Sequence, residues 1–147
     1  MKILVDTCIW SLSLRRTNDK KNESVQLLKK LILEQKVQMI GPIRQELLSG
    51  VKSQNQFNTL KSYLSAFPDL PIKTQDYELA AEYFNINRKN GIQGSNTDFL
   101  ICALSNNHEM PIFTNDNDFK LYAKNCSILI YDDIEESKKL ANNFQND

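Results

Sequence analysis

Short apolar runs alternate along this chain with segments of helical periodicity, and this alternation most constrains its fold. The predicted strands are KILV from Lys2, VQMI from Val37, LPI from Leu70, PIF from Pro111 and SILI from Ser127. Strands that alternate with helices favour parallel pairing through right-handed crossovers. The sequence therefore predicts an α/β fold, a three-layer α/β/α sandwich with a central, mostly parallel sheet of four to five strands.

The segments between these strands predict seven helices, because apolar residues recur there at spacings of three and four. Thr74 is expected to cap the longest helix, and either Ser95 or Asn96 the next. Pro42 follows Gly41 at the start of a shorter helix. The predicted helices lie near residues 7–16, 23–35, 42–49, 54–66, 74–91, 96–107 and 116–123.

The length and charge of the chain favour a single domain with no global attraction to polyanions. Its 147 residues are near the commonest domain size, so we expect one domain over 1–147, with a core over about 1–132 and a tail over 133–147. The 18 Lys and Arg residues balance the 18 Asp and Glu residues, so a nucleic-acid partner must be bound by a local patch.

Cysteine usage and hydropathy predict a cytoplasmic protein. The three cysteines, Cys8, Cys102 and Cys126, are widely spaced and are expected to be reduced thiols of the core. No apolar run approaches membrane-spanning length, and the N-terminus lacks the pattern of a signal peptide. We therefore expect no membrane partner.

Four acidic residues are predicted to meet at one edge of the sheet. Asp6 directly follows the first strand, and Asp116 follows the fourth strand by two residues. Glu46 lies early in the helix after the second strand, and Asp98 lies in the first turn of the helix before the fourth strand. Ligands of open α/β folds bind beyond the carboxyl ends of the strands. We therefore expect these four carboxylates to line one cleft.

Carboxylates gathered in this way repel one another unless a cation joins them. Mg²⁺ and Mn²⁺ prefer carboxylate and water oxygens, and Mg²⁺ usually keeps waters that a substrate phosphate can replace. One or two such ions lower the pKa of a bound water and stabilise a leaving oxygen. The acidic cluster therefore predicts metal-dependent hydrolysis of a phosphodiester.

Four motifs, LVDT, PIRQELLSG, SNTDFLICALS and IFTNDNDF, resemble in their order the acidic motifs of the PIN domain family. The chain length and the helix pattern are similar to those of its VapC-type toxins. The resemblance spans about 2–132 and implies a Mg²⁺- or Mn²⁺-dependent endoribonuclease that acts on RNA. It also implies a homodimer and a cognate antitoxin that occupies the cleft, and it makes tRNA a candidate substrate.

The resemblance assigns Asp6, Glu46 and Asp98 to the first three acidic positions of the family. For the fourth position, Asp116 is the first choice, and Asp118 is either a second metal ligand or a helix cap. Thr7 and Thr114 resemble hydroxyl residues that flank the acids, where they hold a metal-bound water or orient a carboxylate.

Two alternative functions remain open. A haloacid dehalogenase-like phosphatase also uses an Asp after its first strand, but its general acid would have to stand where this chain has Cys8. A non-catalytic PIN-like module would keep the acids but serve mainly to bind RNA or a protein partner.

Several other polar residues have simpler interpretations. His108 is interpreted as a loop residue, and Asp69 and Asp76 as turn, cap or surface groups. A set of basic residues is assigned to solvated surface, with RNA contact as the alternative: Arg15, Arg16, Lys20, Lys21, Arg44 and Lys52.

Overall fold

Three parallel strands form the sheet in the computed structural model, which describes residues 1–15 and 22–132. They are β1 (Ile3–Val5), β2 (Val37–Gln38) and β3 (Ile112–Phe113). The strand order is β2-β1-β3, with Ile3 opposite Val37 and Val5 opposite Phe113. Because β1 is central, the residue that follows it lies between the ends of the other two strands.

Seven helices flank this sheet within the described residues, in agreement with the predicted number. They are α1 (Thr7–Leu14), α2 (Glu23–Leu33), α3 (Gly41–Leu48), α4 (Gln54–Leu64), α5 (Thr74–Lys89), α6 (Asn96–His108) and α7 (Asp118–Tyr122). Every residue from 99 to 105 of α6 is buried, as expected for a helix that is covered on all sides. α6 therefore gives the acid in its first turn a rigid support.

The prediction of four to five strands is wrong for the described residues, because the two remaining runs contribute only isolated parallel bridges. Asp69, directly before the LPI run, bridges Met39, and the Leu70 N–H donates to the Met39 carbonyl over 2.9 Å. The SILI run pairs through Ile112 and Ile130. Pro71 lacks a backbone N–H, which prevents the LPI run from extending its ladder. β3 is only two residues long and offers little more than Ile112 to the SILI run.

Two helix starts differ from the predictions. The N-cap of α5 is Lys73, whose backbone N donates to Asp76 Oδ2 over 2.9 Å, whereas Thr74 is already helical. α7 begins at Asp118, and its N–H donates to Asp116 Oδ1 over 2.9 Å. In both places a carboxylate accepts from a helix-start N–H, and this interaction sets the boundary.

Some predictions lie outside the described residues, including those for Arg16, Lys20, Lys21 and the tail over 133–147. Cys8, Cys102 and Cys126 are free thiols, as expected. Across the described ranges, no helix is both long and apolar enough to cross a membrane.

Candidate active site

Asp6 lies at the end of the central strand and also forms the N-cap of α1. Its Oδ1 accepts from the backbone N of Thr7 over 2.8 Å, and its Oδ2 accepts from Thr114 Oγ1 over 2.8 Å. The residue is 7% exposed. Burial raises the pKa of Asp6, and the hydrogen bonds from Thr114 and Thr7 only partly offset this effect. The two hydrogen bonds therefore fix the orientation of Asp6 without supplying a positive charge.

Glu46 reaches the same site from the second turn of α3, which Pro42 helps to start. Thr7 Oγ1 donates to Glu46 Oε2 over 3.1 Å. Thr7 therefore contacts two acids, because its backbone N binds Asp6 and its hydroxyl binds Glu46. A short polar residue directly after β1 joins the carboxylates of two neighbouring elements.

Asp98 lies in the first turn of α6, where Ser95 is the N-cap and its Oγ accepts from the Asp98 N–H over 3.0 Å. Tyr122 of α7 donates its hydroxyl to Asp98 Oδ2 over 2.8 Å. Burial raises the pKa of Asp98, hydrogen bonding to the carboxyl by the side chains of Tyr122 and Ser95 lowers it, and the charges of Asp6 and Asp116 raise it further. The acid that no strand delivers therefore does meet the others.

The last motif folds into a turn held by its own side chains. The backbone N of Asp116 donates to Thr114 Oγ1 over 3.0 Å, and the backbone N of Asp118 donates to Asp116 Oδ1 over 2.9 Å. Asp116 lines the cleft, whereas Asp118 starts α7 and is not among the residues that line it. The structure thus distinguishes the positions of the two candidate acids.

These acids line a cleft of about 590 Å³. Sequence reasoning did not assign several of its lining residues to the site, although each lies within four positions of a predicted acid. That proximity is the signal that would have found them. The full lining is Asp6, Thr7, Cys8, Pro42, Gln45, Glu46, Ser49, Ser95, Thr97, Asp98 and Asp116.

Cys8 is the lining residue with the least expected chemistry. It is half-buried, its Sγ lies 3.6 Å from Asp6 Oδ2, and it accepts from the backbone N of Asn115 over 3.4 Å. Burial raises the pKa of the Cys8 thiol. This residue is thus a neutral thiol against Asp6 rather than part of the core.

The donor set fits a hard divalent cation. The cleft presents four carboxylates and several hydroxyls, and none of its described lining residues is Lys, Arg or His. Such oxygens suit Mg²⁺ and Mn²⁺. Burial is the main cause of the raised pKa of Asp6 and Asp98, and a cation would relieve the mutual repulsion that adds to it. Among the described side chains, no three of the types His, Cys, Asp and Glu are yet gathered closely enough to hold one ion. Binding would therefore draw the carboxylates inward.

The sequence and fold both match known proteins. The family model described as PIN domain matches residues 3–125. The chain belongs to the PIN domain family. VapC ribonuclease Mb1587 of Mycobacterium bovis and ribonuclease VapC11 of Mycobacterium tuberculosis are each 31% identical to it over 126 residues. Each alignment covers 83% of this PIN domain protein and 92% of the relative.

Two solved structures share the fold of this PIN domain. FitAcB from Neisseria gonorrhoeae has a TM-score of 0.71 and 23% identity, and the alignment covers 88% of this chain and 96% of the FitAcB chain. VapBC2 from Rickettsia felis, bound to a DNA fragment from their promoter, has a TM-score of 0.69 and 18% identity. That alignment covers 90% of this chain and 98% of the VapBC2 chain. At these identities, the likeness supports the fold alone.

Two polar residues outside the cleft have structural contacts. Arg44 pairs with Asp69 over 3.0 Å and donates to the carbonyls of Leu64 and Phe67. His108 ends α6, and its Nε2 lies 3.4 Å from Asp76 Oδ1. Arg44 is thus engaged in fixing the segment after α4 and is not free for RNA.

Proposed function

We propose that this PIN domain protein is a metal-dependent endoribonuclease and the toxin of a toxin-antitoxin pair. One observation carries the proposal: Asp6, Glu46, Asp98 and Asp116 line one cleft, with no basic residue among its described lining side chains. The names of the curated relatives support RNA as the substrate, because both are called ribonucleases. The family match gives no support to the phosphatase alternative.

The same four carboxylates would hold the divalent ion, Mg²⁺ or Mn²⁺. When bound, such an ion supplies a water of lowered pKa and stabilises charge on a phosphodiester oxygen. Asp118 remains the candidate for a second ligand, because its carboxylate lies two residues from Asp116 at the start of α7.

The surrounding hydroxyls prepare the acids for this role. Thr114 Oγ1 binds Asp6 Oδ2, and Thr7 Oγ1 binds Glu46 Oε2. Tyr122 holds Asp98 Oδ2. Each donor uses one lone-pair position of a carboxylate and leaves others for a ligand, because an ionised carboxylate accepts at about four positions. The chain therefore orients its acids through neutral donors and adds no competing cation.

A partner protein and a second copy of the chain complete the proposal. We infer a cognate antitoxin because the chain resembles VapC-type toxins and matches the fold of VapBC2. We also infer a homodimer from the same resemblance. Copurification of the chain with the product of an adjacent short reading frame, and its mass in solution, test these two points.

The decisive test is RNA cleavage by the purified protein. Wild type is incubated with structured RNAs, including tRNA, with Mg²⁺, with Mn²⁺ or with a chelator. Cleavage is expected only with metal. Asp6→Asn and Glu46→Gln are each expected to lower the rate of cleavage at least about 100-fold. Loss of a residue that only supports a metal ligand costs up to about 100-fold, so loss of a ligand itself should cost at least as much.

Glu78→Gln is the matched control, because Glu78 is an exposed acid on α5 that does not line the cleft. It should retain full activity. Metal-independent cleavage, or equal activity in all variants, would reject the nuclease proposal. RNA binding without cleavage would instead support a non-catalytic module.

A further inference from the structure

A second cavity, of about 270 Å³, lies between the end of α5 and the loop that leads into α6. It combines aromatic, cationic and amide side chains, a mixture that the acidic cleft lacks. Its lining residues are Phe84, Arg88, Ile92, Gln93, Gly94 and Phe99. We refer to it as the Arg88 pocket.

The Arg88 pocket shares a wall with the acidic cleft. Gly94 lines the pocket and the next residue, Ser95, lines the cleft; likewise Phe99 lines the pocket and Asp98 the cleft. Adjacent Cα atoms are only about 3.8 Å apart, so the two cavities lie back to back. The linings of the two cavities are thus one residue apart at two places, Gly94 with Ser95 and Asp98 with Phe99.

Gly94 keeps this shared wall thin. A Cβ atom at this position would lie 2.5 Å from the Tyr122 hydroxyl and 2.9 Å from Phe99 Cζ, closer than real Cβ contacts allow. The same Tyr122 hydroxyl donates to Asp98 on the cleft side. The absence of a side chain at Gly94 thus lets the loop lie directly against the residues that separate the cavities.

Arg88 gives the pocket a charge that RNA requires and the cleft does not supply. Phe84 and Arg88 are four residues apart on α5, so their side chains lie on the same helix face. Arg88 is exposed, and no hydrogen bond or ion pair of its guanidinium is found among the described residues. An Arg fork of this kind is well suited to bind a phosphate in bidentate fashion.

Phe84 provides the surface for a base. Its ring is half-buried and meets Phe99 edge-on, with centroids 5.6 Å apart and an interplanar angle of 79°. Phe99 anchors it, because Phe99 is 1% exposed. Bases of single-stranded RNA stack on such rings, and an amide such as that of Gln93 can hydrogen-bond a base edge.

We propose that the Arg88 pocket receives one nucleotide of the RNA substrate beside the scissile phosphate, with its base against Phe84 and its phosphate on Arg88. This inference rests on the proposed ribonuclease function and names a subsite of it. The pocket would therefore set both affinity and base preference, whereas the four acids perform the hydrolysis.

The first test compares Arg88→Ala with Lys89→Ala. Lys89 is the next residue, is also exposed and carries the same charge, but it does not line the pocket. Arg88→Ala is expected to raise KM about tenfold with kcat little changed. It should also reduce the slope of the logarithm of the binding constant against the logarithm of the salt concentration by about one, the value for one lost phosphate contact. Lys89→Ala should resemble wild type. Binding is measured separately in an Asp98→Asn background, which removes cleavage.

The second test pairs Phe84→Leu, which keeps most of the packing volume, with RNAs that carry one abasic position at successive sites. In wild type, removal of the base at one position next to the cleaved bond is expected to raise KM about tenfold, as for the loss of one stacked base. In Phe84→Leu that position-specific difference should disappear. Circular dichroism and thermal melting confirm that each variant is folded.

The outcomes separate the two proposals. If wild type cleaves RNA while Arg88→Ala and Lys89→Ala behave alike, or the abasic effect persists in Phe84→Leu, the subsite is rejected and the ribonuclease stands. If Arg88→Ala weakens only the binding of the cognate antitoxin, the pocket belongs to a protein partner and the subsite is rejected. If wild type neither binds nor cleaves RNA, both proposals fail.

Discussion

Buried carboxylates occur in two regions of this PIN domain, and their pKa values shift in opposite directions. In the cleft, burial raises the pKa of Asp6 and of Asp98. At the start of α5, Asp76 is only 1% exposed, yet its pKa lies below the usual range. All three acids lie at or near a helix N-terminus, so the helix dipole does not explain the difference.

The balance between burial and the partners of each acid explains it. Burial would raise the pKa of Asp76, but hydrogen bonds from the Lys73 N and Asn107 Nδ2, each 2.9 Å, outweigh that effect together with His108. For Asp6 and Asp98, burial outweighs the hydrogen-bond donors, and the charges of neighbouring carboxylates raise the pKa further. An acid whose partners satisfy it is structural, whereas acids that repel one another are prepared for a cation.

Replacement of Asp76 should have the largest effect on stability. Asp76→Ala is expected to lower the free energy of unfolding by about 3 kcal/mol, because part-buried donors on Lys73 and Asn107 lose a buried, charged acceptor. Urea denaturation measures the loss. RNA cleavage per folded molecule should be unchanged, and a loss of activity at full folding would erase the distinction between the two regions.

A divalent cation should stabilise the cleft and leave the Asp76 region unaffected. Mn²⁺ at about 100 times its Kd is expected to stabilise wild type by about 2.7 kcal/mol, since it binds the folded state. Asp76→Asn should show the same increment on a lower baseline. Asp6→Asn should show little, and an equal increment in Asp6→Asn would place the ion elsewhere.

Tyr122→Phe tests whether the hydroxyl bound to Asp98 positions that acid. Its ring should stay packed, because Phe99 and Phe119 lie 4.8 and 5.2 Å away between centroids. We expect cleavage to fall about tenfold, and the metal concentration for half-maximal activity to rise, as for other outer-shell partners of a metal site. Equal metal dependence in both proteins would show that Tyr122 only packs.

The sequence predicts the positions of the acids better than it predicts their partners. Parallel strand ends meet at one edge of the sheet, so the positions of Asp6 and Asp116 follow from local patterns. Helix periodicity places the other two acids, Glu46 and Asp98, within the first two turns of their helices. The contact between Tyr122 and Asp98 spans 24 positions, and that between Asn107 and Asp76 spans 31. No local pattern encodes such pairings, because they depend on how the helices pack.

The number of strands was overestimated for a related reason. An apolar run indicates burial, but strand pairing also requires backbone groups in register over several residues. The LPI run contains a proline, and the SILI run meets a strand of two residues, so each forms only one bridge. The same runs still contribute to the core, since residues such as Leu70 and Ile130 pack against it.

The smallest expected effect is the one whose sign best separates the two regions. In metal-free solution, Asp6→Asn is expected to stabilise the protein by about 1 kcal/mol at neutral pH, as single stabilising substitutions do, although it is expected to abolish cleavage.

A raised folded pKa means that the ionised form of Asp6 costs stability, so this cost appears as pH rises from the unfolded pKa through the folded one. Asp76 has a lowered pKa, so its stabilisation is present above the unfolded pKa and is lost as pH falls through the folded one. In denaturation measurements across about pH 3 to 8, Asp6→Asn should therefore lose the pH dependence just above the unfolded Asp pKa, and Asp76→Asn the pH dependence just below it. The same pH response in both variants would mean that the two regions do not differ.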